Sequence, residues 1–283
     1  MPRRPRAPDL PDFEAPPVTE VVLSVQFDTL AALGNVYAGL LWAEYRAEYP
    51  KVAEKPPLSP RFETFGGGGA PVPTNIPFRF EAFFDATISR FWFEEADGAH
   101  LMQLQNDRIV HNWRKRETET EYPRYEPIAD RFEREIGKFE NFLRREHLGE
   151  LRANQCEVTY INTIQLPDGA DPHQHLNRIT PLWSGSFGSL DLLEPENVLT
   201  QARYIFKEDG KPLGRVYVNF TPVIRNADLS PAVQLDITVR ARPAEQSVEA
   251  AFDLLDRERE IVVRTFAAVT TSEMHRVWER RGG

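Results

Sequence analysis

Residues 101–166 read LMQLQNDRIVHNWRKRETETEYPRYEPIADRFEREIGKFENFLRREHLGELRANQCEVTYINTIQL. Leu101–Gln105 and Arg108–Arg114 form two predicted strands joined near Asn106-Asp107, and the second ends in Asn112-Trp113. After Pro123, apolar residues fall at Ile128, Phe132, Ile136, Phe139 and Leu143. Spacings of three and four put all five on one side of a helix. Gln155–Leu166 then returns as a strand carrying Tyr160-Ile161-Asn162. Antiparallel strands, an amphipathic helix and a further strand in one stretch point to an α+β protein.

Working outward toward the N-terminus, Val18–Phe27 alternates, with Val21, Leu23, Val25 and Phe27 on one face of a predicted strand. A helix fits Ala31–Tyr49, with Leu33, Val36, Leu40, Leu41 and Tyr45 on one side, and Pro50 stops it. Residues 50–77 read as a long loop. Its glycine run, Gly66–Gly69, leads into Pro71 and Pro73 rather than a helix N-terminus, so a phosphate cradle is not expected. Phe78–Phe84 and Ile88–Glu95 read as strands, and Asp97-Gly98 as a two-residue hairpin turn. Residues 1–16 are rich in proline and charge and are expected to form a flexible arm.

Toward the C-terminus, His173–Trp183 is predicted as a helix. Ser186–Leu193, Val198–Lys207, Leu213–Thr221 and Val233–Arg240 are predicted as strands, with Asp209-Gly210 as a hairpin turn. A long helix over Ala244–Val269 carries Val248, Phe252, Leu255, Val262, Phe266 and Val269 on one face. Glu258 and Arg259 interrupt that stripe. Burying an unpaired charge is costly, so the helix is expected to run past the core at that turn. Thr270 and Glu273 have capping-box spacing and predict a short last helix through Met274 and Trp278. The order of elements suggests two pseudo-repeated halves, 17–150 and 151–283, packed as one unit. Each would run strand, helix, antiparallel meander, long helix.

Composition narrows the function classes. The chain has 283 residues, 41% of them hydrophobic, and a net charge of −9. An acidic balance disfavours a duplex-binding surface, which needs cations to displace phosphate counterions. Single-strand binding through Phe91 and Phe93 is weaker than a core role for those rings. No apolar run approaches the ~20 residues of a membrane span. The basic Met1–Arg6 leads into no apolar stretch, so a secretory signal is not expected and the cytoplasm is. Cys156 is the only cysteine, which excludes an intrachain disulfide and suggests a buried thiol. No Walker loop, dinucleotide fingerprint, HExxH, CxxC or nucleophile elbow is present. No cofactor is expected.

The pieces PPVTEVVLSVQF, LQNDRIVHNW, YPRYEPIADRF, YINTI and FAAVTTSEMHRVW, in that order, resemble a family of sporadically distributed bacterial proteins of unknown function. The resemblance runs from Pro16 to Trp278. It rests on Glu20, Asn112, Trp113, Tyr122, Tyr125, Tyr160, Asn162, His275 and Trp278. It implies no catalytic roles. The family's patchy occurrence suggests accessory loci, such as those for defence or toxin control.

Tyr160 and Asn162 point to one side of their strand, between the apolar Val158 and Ile164. If buried, they must find partners, either in a structural network or in a ligand pocket under the long helix. Tyr217 and Asn219 have the same spacing in a later strand. With Asn112 and His275 they complete the ligand-binding candidates. Asp171, His173 and His175 are weak metal candidates; without a further ligand at matching spacing, a polar loop is expected. The leading expectation is a non-enzymatic interaction protein that binds a protein partner, its acidic surface matching a basic one. The alternative is a small-molecule binder or enzyme with a cavity between antiparallel sheet and long helices. Whether the chain is an enzyme stays open.

Overall fold

The computed structural model describes residues 7–65, 89–116, 121–185 and 193–281. Its centre is a nine-stranded antiparallel sheet. The first half supplies β2 (Val18–Phe27), β3 (Lys51–Lys55), β4 (Arg90–Glu94), β5 (His100–Gln105) and β6 (Arg108–Arg114). The second supplies β7 (Ala153–Ile164), β8 (Thr200–Glu208), β9 (Lys211–Ile224) and β10 (Pro231–Ala241). The spatial order is β3-β4-β5-β6-β2-β7-β10-β9-β8, so β2 and β7 pair at the centre and the halves share one sheet. A separate two-stranded ribbon joins β1 (Asp12–Phe13) to β11 (Arg280–Arg281).

Strand alternation gives the sheet two different faces. Val21, Leu23 and Val25 of β2 face the same way as Ile109 and Trp113 of β6, Cys156 and Val158 of β7, and Leu235, Ile237 and Val239 of β10. All are buried. The helices α2 (Tyr125–Arg145) and α4 (Val248–Val269) cover this face. The predicted stripe of α2 is buried as a unit, including Phe132 and Phe139. Ser247 caps α4 by accepting a hydrogen bond from the Ala250 amide at 3.1 Å. The other face is polar, and residues 58–63 lie across part of it. Leu58 and Arg61 exchange hydrogen bonds with Gln105 and Gln26, and Glu63 meets Arg215, Arg240 and Tyr217.

The two-residue turns at Asn106-Asp107 and Asp209-Gly210 close their hairpins as predicted. At the second, positive φ at both residues (48° and 77°) matches the right-handed twist of the flanking strands. The Asp97-Gly98 turn is longer than predicted, since the ladder closes at Glu95 and His100.

Other expectations are corrected. The first helix, α1, is only Asn35–Tyr45, and Val36 and Leu40 are 80% and 52% exposed. Residues 51–55 form edge strand β3 rather than loop. The helix expected over His173–Trp183 is the single turn α3 (Leu176–Ile179), ending before Pro181. The last helix, α5 (Ser272–Val277), is capped by Thr271, one residue after the predicted cap; Thr270 instead donates to the Phe266 carbonyl. The strand predicted over Phe78–Phe84 lies outside the described residues, as does all but the last residue of that over Ser186–Leu193. The N-terminal arm is docked from Ala7 onward. Phe13 is buried and meets Phe266 edge-on at 5.2 Å, an interaction worth about 2 kcal/mol in apolar burial alone.

The largest correction concerns Glu258 and Arg259. α4 stays on the core at that turn, and both residues are buried. No side chain hydrogen-bonds either carboxyl oxygen of Glu258, and the backbone at Ala241 gives it only a weak contact. Burial raises its pKa well above the ordinary carboxyl range, and the charge on Glu157 adds to this; Arg240 and the backbone at Ala241 pull less strongly the other way. Folding therefore favours the protonated form of Glu258. Its stabilising contribution is complete below the unfolded glutamate pKa and is lost as pH rises toward the folded value. Glu258→Gln should flatten this decline. Thermal melts across pH 4–9 should show the variant gaining on the wild type as pH rises, by about 1–3 kcal/mol at the alkaline end. Parallel curves would show that Glu258 is ionised in the folded chain.

Candidate functional site

A cavity of about 60 Å³ opens between β7, the entry to α2, and α4. Tyr160 and Asn162 line it from β7, Tyr122 and Tyr125 from the α2 entry, and Arg259 and Phe266 from α4. Phe13 and Val18 add apolar wall, and Asp12 and Arg124 also line the space. Two local irregularities shape it. The β2–β7 ladder slips between Val18 and Glu20, so Thr19 forms a bulge beside Asn162. Bulges bend a strand and re-aim its side chains. Arg124 has φ of 73°, a left-handed conformation that costs a non-glycine residue energy. Its guanidinium donates to the Phe13 carbonyl (3.0 Å) and to Asp12 (3.3 Å), so it also anchors the N-terminal segment over the cavity.

The polar groups are few and mostly engaged. The Tyr122 and Tyr160 hydroxyls lie 3.0 Å apart. Burial raises both phenol pKa values; the Arg259 charge opposes the rise in each. Asn162 donates to the Leu235 carbonyl at 3.1 Å. Arg259 donates from Nη2 to the half-exposed Glu126 at 2.9 Å and lies over the Tyr125 ring at 5.2 Å. Its Nε–H is buried without an acceptor. A buried donor without an acceptor costs about 1–3 kcal/mol, which a ligand oxygen would recover.

Of the six ligand candidates read from sequence, the structure brings Tyr160 and Asn162 to this cavity. Tyr217 and Asn219 are not their matching pair, because Val216, Val218 and Phe220 occupy the helix-covered face of β9. Tyr217 instead donates to Glu63 at 2.8 Å, and Asn219 accepts from Gln201 at 2.9 Å. Asn112 also lies on the polar face, bonded to Glu20 (2.6 Å) and Gln103 (2.7 Å). His275 sits behind Phe13, with Thr270 and Arg280 on its two ring nitrogens. It pins the C-terminus rather than lining the cavity. His173 directs Nε2 toward the Val223 and Ala232 carbonyls, 3.1 and 2.8 Å away. Among the described residues, no group of three or more His, Cys, Asp or Glu side chains could hold a metal ion.

Arg259 is legible as a break in the α4 stripe, where solvent, a partner or a polar cavity are the options and a helix running past the core is the favoured expectation. A second cluster was missed. His111, wholly buried on β6, places Nδ1 2.9 and 3.0 Å from the two oxygens of Glu135, and Nε2 3.0 Å from Nδ1 of His100. Tyr49 also donates to Glu135, and Tyr45 to the Glu135 carbonyl at 2.6 Å. Burial, with the charges of His111 and Arg131, pushes His100 down to about 3. The available signal was a glutamate on the apolar side of α2, between Phe132 and Phe139.

No protein-family model, curated protein or solved structure matches this chain. No helix among the described residues is long and apolar enough to cross a membrane.

Asn162→Ala should cost about 1–3 kcal/mol, because it removes a buried hydrogen bond to the adjacent strand. Thermal unfolding should show a drop of several degrees. An unchanged melting temperature would mean that the amide is not structural.

Proposed function

We propose that this protein binds a small molecule in the cavity between β7 and α4. The observation that carries this reading is the convergence of Tyr122, Tyr160 and Arg259 on one mostly apolar space. Ligand sites commonly combine apolar walls with a few placed polar groups. The bulge at Thr19 and the left-handed Arg124 support it, since such irregularities cluster where a chain builds a site. Native mass spectrometry of the protein from its own host should detect a small adduct. Val263→Phe, which enlarges a side chain lining the cavity, should remove it while the protein stays folded. A bare chain in both forms would count against the reading.

A second reading, a protein partner, is favoured by β8, which is one edge of the sheet among the described residues. Leu199, Tyr204 and Ile205, on and beside β8, are 66%, 46% and 49% exposed. An edge strand offers unpaired backbone groups to another strand. The opposite edge, β3, is guarded by Lys51, Glu54 and Lys55. On this reading the chain is a non-enzymatic cytoplasmic protein of an accessory, defence or toxin-control locus, in the sporadically distributed family it resembles. Ile205→Lys should weaken a co-purifying complex at least tenfold without lowering the melting temperature by more than about 2 °C. Retention of the partner would exclude this edge.

The pseudo-repeat belongs to the same proposal. Each half sets its first strand at the centre, its last strand beside it, and its other strands outward in turn. In each long helix a buried glutamate, Glu135 or Glu258, stands at the same place relative to the helix start.

A further inference from the structure

We propose that the cavity takes a short-chain monocarboxylate, with its charged end on Arg259; this rests on the small-molecule reading above. Charge argues for an anion. The charged side chains lining the space are Arg259, Arg124 and Asp12. Arg124 and Arg281 hold Asp12, at 3.3 and 3.6 Å, so its charge is already answered. Arg259 has Glu126 as its carboxylate partner, and Glu126 is half-exposed and reaches only Nη2. A half-exposed partner neutralises a buried guanidinium weakly, because solvent screens the pair. The Nε–H keeps no acceptor.

The chemistry of the donor favours a carboxylate over a neutral oxygen. A guanidinium presents its N–H groups in a planar fork that matches a carboxylate, and charge-assisted hydrogen bonds are about twice as strong as neutral ones. The Tyr122–Tyr160 hydroxyl pair stands beside this charge; one O–H is spent between the two, and the other is left as a further donor. Phe13, Val18, Val262 and Phe266 leave the remaining wall apolar, which suits a hydrocarbon tail.

Volume limits the tail. A cavity of about 150 Å³ holds the six heavy atoms of a benzene ring, so one of 60 Å³ suits an acid of about one or two carbons. Aromatic acids and long fatty acids are excluded from the enclosed part.

Isothermal titration of the full chain with acetate and with acetamide, at matched ionic strength, tests this inference. The two probes have nearly the same shape and differ in charge. Acetate should bind at least tenfold more tightly, and Arg259→Met should erase the preference. Glu126→Gln, at a half-exposed position, should tighten acetate binding by removing the competing carboxylate; it also tests the idea if Arg259→Met fails to fold. Equal binding of the two probes, blocked by Val263→Phe, would overturn the carboxylate class and leave the small-molecule reading standing. Heat from neither probe would overturn the carboxylate inference; if the protein from its host also carried no adduct, the small-molecule reading would fall with it.

Discussion

The pairing of β2 with β7 is the constraint on which the rest of the molecule depends. It joins strands 142 residues apart at Thr19 and Ile161 and makes one sheet from two halves. Because side chains alternate, one register sets which residues of both halves meet the helices. A slip by one residue would send Val21, Leu23 and Val25, together with Cys156 and Val158, to opposite faces. Their complete burial specifies the register strongly.

The ladder shifts register at two places, and the cavity opens at one of them, between Val18 and Glu20. At Thr19 the strand bulges, and its hydroxyl donates to the Ile161 carbonyl at 3.2 Å rather than leaving that group unpaired. Beyond the bulge, Val18 and Asn162 line the cavity together with Phe13 of the docked segment, next to the buried Arg259 guanidinium.

The two long helices treat their buried glutamates differently. Glu135 has His111 and Tyr49 hydrogen-bonded to its carboxyl oxygens and Arg131 at 3.6 Å. Glu258 has no such shell, and burial pushes its pKa well up, beside the equally buried Cys156. Burial pushes the Cys156 thiol well up too, which argues against a nucleophile there. Both solutions obey the same rule: a buried carboxyl is paired or neutral.

The sequence by itself determined the strands and helices whose periodicity is unbroken. Val18–Phe27, Arg108–Arg114, the α2 stripe and the two tight turns are local properties, set by alternation, by helical spacing and, at Asp209-Gly210, by residues that tolerate positive φ. The docking of the N-terminal segment was not legible, because Phe13 is one aromatic residue in a proline-rich stretch and its partners lie more than 250 positions away. The side of the sheet on which Asn112 and Tyr217 fall follows from which neighbours reach the core. That is settled only when β6 and β9 are paired to their neighbours. The fate of Arg259 was decided the same way. An isolated helix can turn a charge outward, but α4 is held on β7 and β10 along its length, so the guanidinium is carried inside and must be answered there.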